Sequence, residues 1–315
     1  MEKLLSIAIP TYNRSKYLRE ELENIIPQLI PYKAEVEIAI SDNASTDNTG
    51  EVVAELSRKY DFPILYKHLE TNIYFEDNFE SAVNLTSGKY VQMAGDDDLM
   101  APGFYDVLWS LIKHNYGLIH FNRLSCDVNC CNGKIYDKQY KEAIFKGSVK
   151  EFVERVGTGP GFMTSLVFRR DCWDEGLKYK NKLYYGYNFL GQLYQGAMHL
   201  KVDCCYYYFP IILQRGNAHG FSKTYPLCLF VALPSILHDV DEEFANSWIE
   251  KHLRGKRKTL VLASVFNNKP FYKEHADEMT LYLAPKQKNI FNFMVSQKTP
   301  VILCRIYYRL LSWVL

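Results

Sequence analysis

LSIAIPTYNRSKYLREELENII, residues 5–26, reads as a buried strand from Leu5 to Pro10, a short polar loop, and a helix from Ser15 to Ile26. Leu18, Leu22, Ile25 and Ile26 recur with the helical period, and Ser15 is placed to cap the helix. Strand, polar loop, helix is the opening unit of an α/β fold, and the unit repeats. Val36, Ile38 and Ile40 alternate along a strand that ends at Asp42, and Val52, Val53, Leu56 and Tyr60 mark a second amphipathic helix. Phe62 to Leu69 reads as a third strand and Phe75 to Leu85 as a helix closed by Gly88. Tyr90 to Ala94 is then a fourth strand running into Gly95-Asp96-Asp97-Asp98. Alternation of this kind predicts a mostly parallel sheet with helices on both faces.

Downstream the rhythm changes. Pro102 fits the first turn of a helix reaching about Asn115, and Gly117 to Asn122 is a fifth apolar strand. Cys126 to Tyr136 reads as a hairpin turning at Asn132-Gly133, Ser148 and Glu151 as a capping box, and Met163 to Arg169 as a further strand. These predict an antiparallel addition to the sheet. From about Pro226 the pattern is helical, with a basic cluster at Arg254, Lys256, Arg257 and Lys258 and an aliphatic tail from Val301 to Leu315.

The chain has 315 residues, 48% hydrophobic and 23% charged, enough for a full core in one large domain or two. Lys+Arg 37 against Asp+Glu 36 excludes a global attraction to nucleic acid. Eight cysteines, with Cys204, Cys205 and Cys304 in apolar surroundings, fit a reducing cytoplasm better than a disulfide scaffold. The apolar run ending at Pro10 lacks a cleavage pattern, and no window reaches the roughly 18 apolar residues of a spanning helix. Cys126, Cys130 and Cys131 have no second pair at zinc-site spacing.

Asp96, Asp97 and Asp98 repel one another unless a positive charge offsets them. A hard divalent cation, Mg²⁺ or Mn²⁺, would do so while keeping positions open for phosphate oxygens; a solvated acidic turn capping the next helix is the structural alternative. In open α/β sheets, ligands bind outside the carboxyl ends of the strands. Two more polar loops share that predicted edge, Pro10-Thr11-Tyr12-Asn13-Arg14 and Asp42-Asn43-Ala44-Ser45-Thr46-Asp47. Tyr12 offers a ring to stack on a base and Asp42 a carboxylate to accept from base or ribose, though Asn43, Ser45, Thr46 and Asp47 are equally suited to turns and caps. No glycine-rich phosphate loop or dinucleotide fingerprint follows the first strand.

In order, spacing and letters, residues 6–14, 40–47 and 88–98 resemble the three signatures of family 2 glycosyltransferases. The resemblance is full over about residues 4–125 and weaker from Ser165-Leu166-Val167-Phe168-Arg169-Arg170 to about Ser222. It implies a GT-A fold, Rossmann-like with a mostly parallel central sheet. The expected layout is a glycosyltransferase domain over 1–225, its donor half 1–125 and its acceptor-side half 126–225, followed by a helical region over 226–315. It also implies inverting, metal-dependent transfer of a sugar from a nucleoside-diphosphate sugar to an acceptor hydroxyl, with Mn²⁺ or Mg²⁺ as cofactor. By position, Pro10, Thr11, Tyr12 and Asn13 would surround base and ribose, Asp42 would bond the base, and Asn72 and Asn78 would touch the donor. Tyr74 stands where the family often has glycine. Asp98 would ligate the metal, with Asp96 toward ribose or the metal shell and Asp97 interchangeable with either.

The acceptor hydroxyl must lose its proton, so a general base is needed. The stretch from Tyr184 to Gln192, where the resemblance implies an acidic base, contains no acid. Asp174, following the Ser165 to Arg170 strand, and His199 are the remaining candidates. Arg215 is suited to pair with a diphosphate, and His219 to complete a metal shell. The tail over 299–315 places Arg305 and Arg309 on one helical face, which suits the inner surface of an anionic membrane and an acceptor on a polyprenyl lipid, as in capsule or O-antigen assembly; packing on protein is the other reading. The missing acid also motivates a nucleotide-sugar-binding protein without turnover, while a sugar nucleotidyltransferase would need the absent glycine-rich loop.

Overall fold

In the computed structural model, which describes residues 3–138, 142–179, 181, 184–216 and 224–314, the opening stretch forms β1 (Leu5–Thr11) and α1 (Ser15–Leu29). The helix continues past its expected end, through Pro27. Ser15 does not cap it: Ser15 is the first helical residue, and its N–H donates to Asp47 Oδ2 at 3.0 Å. The cap is therefore supplied by the next βα loop. The repeat proceeds through β2 (Val36–Asp42), α2 (Thr49–Lys59), β3 (Ile64–His68), α3 (Phe75–Asn84) and β4 (Tyr90–Met93). In α2, Glu51 in the first turn and Arg58 and Lys59 in the last complement the helix dipole.

Two expectations about helix ends change. Gly88 is not a helix cap; it lies against β1, where an added Cβ would stand 2.5 Å from Ser6 Oγ and 2.9 Å from the Leu5 carbonyl carbon. The helix after the acidic loop, α4, begins at Phe104 rather than Pro102 and ends at Ile112, with Gly103 at φ 82° as its cap. Between loop and helix lies a two-residue strand, β5 (Leu99–Met100).

The chain continues through β6 (Leu118–Ser125), β7 (Lys134–Ile135), β8 (Ile144–Gly147), α5 (Val149–Val156), β9 (Leu166–Arg169), α6 (Arg170–Gly176), α7 (Asn188–His199) and β10 (Cys204–Gln214). β6 and β7 pair as a hairpin with Leu124 opposite Ile135, but its first strand ends at Ser125 and residues 126–133 form a loop rather than a strand turning at Asn132-Gly133, while Ser148 and Glu151 make the capping box as expected. Among the described residues the sheet has ten strands. Eight run in the order β3-β2-β1-β4-β9-β6-β10-β5, with β7 beside β6 and β8 beside β10. The β3-β2-β1-β4 block and the β6/β10 pair are parallel, whereas β9 runs antiparallel between β4 and β6. Leu5, Ile7 and Ile9 on one face of β1 pack with Leu18, Leu22, Ile25 and Ile26 of α1 and with Phe104 and Leu108 of α4. Burying each such side chain contributes roughly 1.5–3 kcal/mol, which holds the carboxyl ends of β1, β2 and β4 on a rigid base.

The chain divides into two compact units, 1–178 with 192–218, and 179–191 with 219–315. The second is helical, ending in a helix over Val301–Val314. No helix among the described residues is long and apolar enough to cross a membrane.

Candidate active site

The β1 and β2 loops are tied together by short polar contacts. Asn13 sits at φ 51° and Ala44 at φ 62°, left-handed conformations that bend each chain sharply at a strand end. So bent, Asn13 N donates to Ser45 Oγ at 2.8 Å and Asn13 Oδ1 accepts from Thr46 N at 2.7 Å. Tyr12 is left 46% exposed at the mouth, free to stack on a planar ligand. Pro10 is buried in β1 opposite Ser41.

Asp42 is a hub of the second loop. Its Oδ1 accepts from Ser45 N at 2.9 Å, and its Oδ2 accepts from the Tyr66 hydroxyl at 2.5 Å and lies 3.1 Å from His68 Nδ1. Burial works to raise its pKa, but the hydrogen bonds from Ser45, Tyr66 and His68 outweigh it and hold the group below the ordinary value. The carboxylate is 1% exposed, so here it braces the loop from beneath. Asn72, exposed, donates to Asn43 O at 3.2 Å, and buried Asn78 donates to Thr11 O at 3.4 Å. Both asparagines thus support the loops, and Tyr74 is exposed at the start of α3.

The acidic loop closes the site at the end of β4. Thr11 Oγ1 donates to Asp96 Oδ2 at 2.7 Å, while Arg14 Nη1 bridges Asp96 Oδ1 at 2.8 Å and Asp97 Oδ2 at 3.0 Å. Asp98 accepts from Thr164 Oγ1 and, at 3.0 Å, from Arg215 N. Asp96 is 5% and Asp98 3% exposed. Burial pushes Asp96 up to about 6 against the pull of Arg14; burial, then the adjacent Asp97, pushes Asp98 up as well. A buried acid pair raised in this way gains when a cation joins it. The donor set is two or three carboxylates, hard oxygen ligands that fit Mg²⁺ or Mn²⁺ taking its other positions from phosphate and water. Among the described residues no three acidic, imidazole or thiol groups form a ready-made cage, and His219 lies outside the described residues.

Arg215 departs from expectation. Its guanidinium donates to Asp97 O at 2.7 Å, Val128 O at 2.5 Å and Glu20 Oε2 at 2.7 Å. In this structure it fastens β10 and α1 to the acidic loop instead of presenting a free fork to a diphosphate.

Asp174 and His199 require correction. β9 is antiparallel to β4, with Arg169 opposite Tyr90, so α6 and Asp174 leave from the start of β4. The acidic loop is at the other end of β4, about 10 Å along that four-residue strand at 3.3 Å per residue. Asp174 there lines a cleft of about 460 Å³ with Ser87, Lys89, Asn115, Arg169 and Arg170. His199 ends α7 just before Cys204, which pairs with Leu118 at the start of β6. It therefore occupies that same far edge, and neither residue belongs to the loop cluster. Conversely, Arg14 and Thr164 do belong to it, though neither is among the expected site residues. Arg14 is the last residue of the first motif, of which only Pro10 to Asn13 carry an expected role; Thr164 is brought in only by the antiparallel strand.

Comparison with known proteins agrees with this fold. The family model for Glycosyl transferase family 2 matches residues 6–177. The abequosyltransferase RfbV of Salmonella typhimurium is 28% identical over 235 residues, 70% of this chain and 69% of that protein. Among solved structures, S. aureus TarS 1-349 in complex with UDP superposes with a TM-score of 0.53 at 16% identity, covering 98% of this chain and 86% of that one. The mannosyltransferase PcManGT from Pyrobaculum calidifontis, in complex with GDP-Man and Mn2+, gives 0.52 at 14% identity, covering 98% and 88%.

Proposed function

The chain belongs to glycosyl transferase family 2 and is a glycosyltransferase with a GT-A fold, and from that premise we propose inverting, metal-dependent transfer of a sugar from a nucleoside-diphosphate sugar to a hydroxyl of a saccharide acceptor in surface polysaccharide assembly. The observation that carries this is the convergence of the β1, β2 and β4 loops at one sheet edge, laced by Thr11–Asp96, Arg14–Asp96/Asp97 and Asn13–Thr46. In this reading Tyr12 stacks on the base, with Pro10, Thr11, Asn13 and the loop braced by Asp42 shaping its pocket and the ribose site. Asn72 and Asn78 keep the donor side of that pocket in place. Asp98 and Asp96 would hold a divalent cation, which when bound neutralises charge on the departing diphosphate. Thr164 and the Arg215 N–H fix the Asp98 carboxylate beforehand, so little reorganisation is left for the reaction.

The kinship to RfbV, an abequosyltransferase, supports transfer of a sugar. The last helix supports an acceptor presented at a membrane. Cys304 is buried and Tyr307 and Tyr308 pack on Phe293 and Phe266, while Ile302, Ile306 and Leu310 on the other side are exposed, flanked by exposed Arg305 and Arg309. An apolar stripe with basic flanks suits the interface of an anionic bilayer. The direct test follows nucleoside-diphosphate release and glycan product from a panel of nucleotide sugars with lipid-linked and free saccharide acceptors. Metal-dependent release lost in Asp98→Asn is expected; no turnover with any donor, despite nucleotide binding, would favour binding without transfer.

A further inference from the structure

Arg123, near the end of β6, is a buried cation that no acid among the described residues meets at ion-pair distance, Asp98 acting on it only from further off. It is 5% exposed. Its guanidinium lies between two rings, 3.6 Å from the centroid of Tyr136 and 4.6 Å from that of Phe162. Nε donates to Gln214 Oε1 at 2.8 Å and Nη1 to Gly159 O at 3.5 Å, and the Tyr136 and Tyr206 phenols and, more weakly, Asp98 also act on the group. Its direct hydrogen-bond partners are neutral. Burial lowers the pKa of the group and outweighs the opposing pull of Tyr136, Tyr206 and Asp98, so its neighbours do not fully compensate the desolvated charge. Such an arrangement is costly for folding alone, since a buried charge is ordinarily paired.

The surroundings hold the fork in one plane and keep it beside the site. Gln214, which orients Nε, also accepts from Ser125 Oγ at 3.1 Å and directly precedes Arg215, whose N–H bonds Asp98. The loop Gly157-Thr158-Gly159-Pro160-Gly161-Phe162 passes over the guanidinium and leads to Thr164, the other partner of Asp98. A guanidinium stacked between rings and held at Nε presents its remaining N–H groups as a pre-set fork for a tetrahedral oxyanion.

We propose that Arg123 anchors a phosphate subsite of this enzyme, filled by a phosphate group carried on the acceptor. The sheet order places β6 two strands beyond β4, about 10 Å from it and on the side away from the β1 and β2 loops that would hold the base. The donor diphosphate is the other source of the same chemistry. The proposal rests on the transferase reading for the word acceptor, but the anion site itself does not.

Calorimetric titration of inorganic pyrophosphate, alone and with a saturating nucleoside diphosphate, separates these sources. Wild type is expected to bind pyrophosphate with nucleotide already bound. Arg123→Met should weaken that binding by about tenfold or more, as for loss of a charge-assisted pair, with nucleotide affinity unchanged. Gln214→Glu, which gives Arg123 an internal anion without removing it, should weaken it as well while keeping or raising Tm, so a folding defect in the first variant does not decide the matter. Competition between pyrophosphate and nucleotide, with nucleotide affinity falling in both variants, would overturn the acceptor assignment in favour of the donor diphosphate. Pyrophosphate binding that is absent in wild type, or unchanged in both variants, would overturn the subsite altogether. Failure of the transferase reading would show separately, as no affinity for any nucleoside diphosphate.

Discussion

Glu21 shows how the acidic loop reaches into the core. It lies on the buried face of α1, fully buried, with neither carboxylate oxygen bonded to any described group. Burial first, then Asp96, Asp98 and Asp97, push its pKa well above the ordinary carboxylate value. The folded protein therefore holds a proton that the unfolded chain releases above about 4.3. Stability attached to that proton is full below this pH and is lost progressively as pH rises toward the folded value. Glu21→Gln should remove the slope, so its urea midpoint should gain on wild type between pH 5 and 8; a constant difference across that range would contradict the assignment. Asp98→Asn removes a charge that burial disfavours, so it should fold at least as well while losing about 100-fold or more in turnover, the scale of a lost transition-state contact. That Asp96-Asp97-Asp98, Tyr12 and Asp42 gather at one sheet edge was legible from their positions after apolar strands, whereas the burial of Asp42 as a brace was not. The setting of Arg123 was not legible either, because its neighbours Tyr136, Phe162 and Gln214 are far apart in sequence.

Elements make the loops rigid, and each joint can be tested. Asp47 accepts from Ser15 N, the first helical N–H of α1, and from Thr49 N and Oγ1 at the start of α2. One carboxylate thus serves two helix starts. Asp47→Ala should cost about 1–2 kcal/mol in equilibrium unfolding, the range for a lost cap, and weaken nucleotide binding through Asn13 and Ser45; a loss below about 0.3 kcal/mol would contradict the shared cap. Gly88 allows β1 and the start of β4 to approach, and Gly88→Ala should cost about 1–3 kcal/mol because the added Cβ meets the β1 backbone at Ser6 N and the Leu5 carbonyl carbon as well as the Ser6 hydroxyl. The βα units were readable from residues 5–98 since each strand and helix carries its own period. The direction of β9 was not readable, and that single reversal is what carries Asp174 to the far edge. Strand orientation is fixed by pairing partners, here Tyr90 with Arg169 and Leu118 with Phe168, and a period-2 pattern is the same in either direction.

For the whole molecule, near-neutral charge leaves charge-driven binding to local groups, and the proposed membrane contact of the last helix can be tested directly. Vesicles containing phosphatidylglycerol should retain the full chain but not Ile302→Asp/Ile306→Asp, and retention should fall with salt as the arginine contribution is screened. Equal retention of both proteins would exclude the helix as a membrane contact. The central claim, a nucleoside diphosphate seated on the β1, β2 and β4 loops, is tested most directly by thermal shift with UDP, GDP, CDP and dTDP, each with Mn²⁺ and again with EDTA. One nucleotide is predicted to raise Tm, more with Mn²⁺ than with EDTA, and to lose that effect in Asp98→Asn. A flat response to all of them would contradict the account.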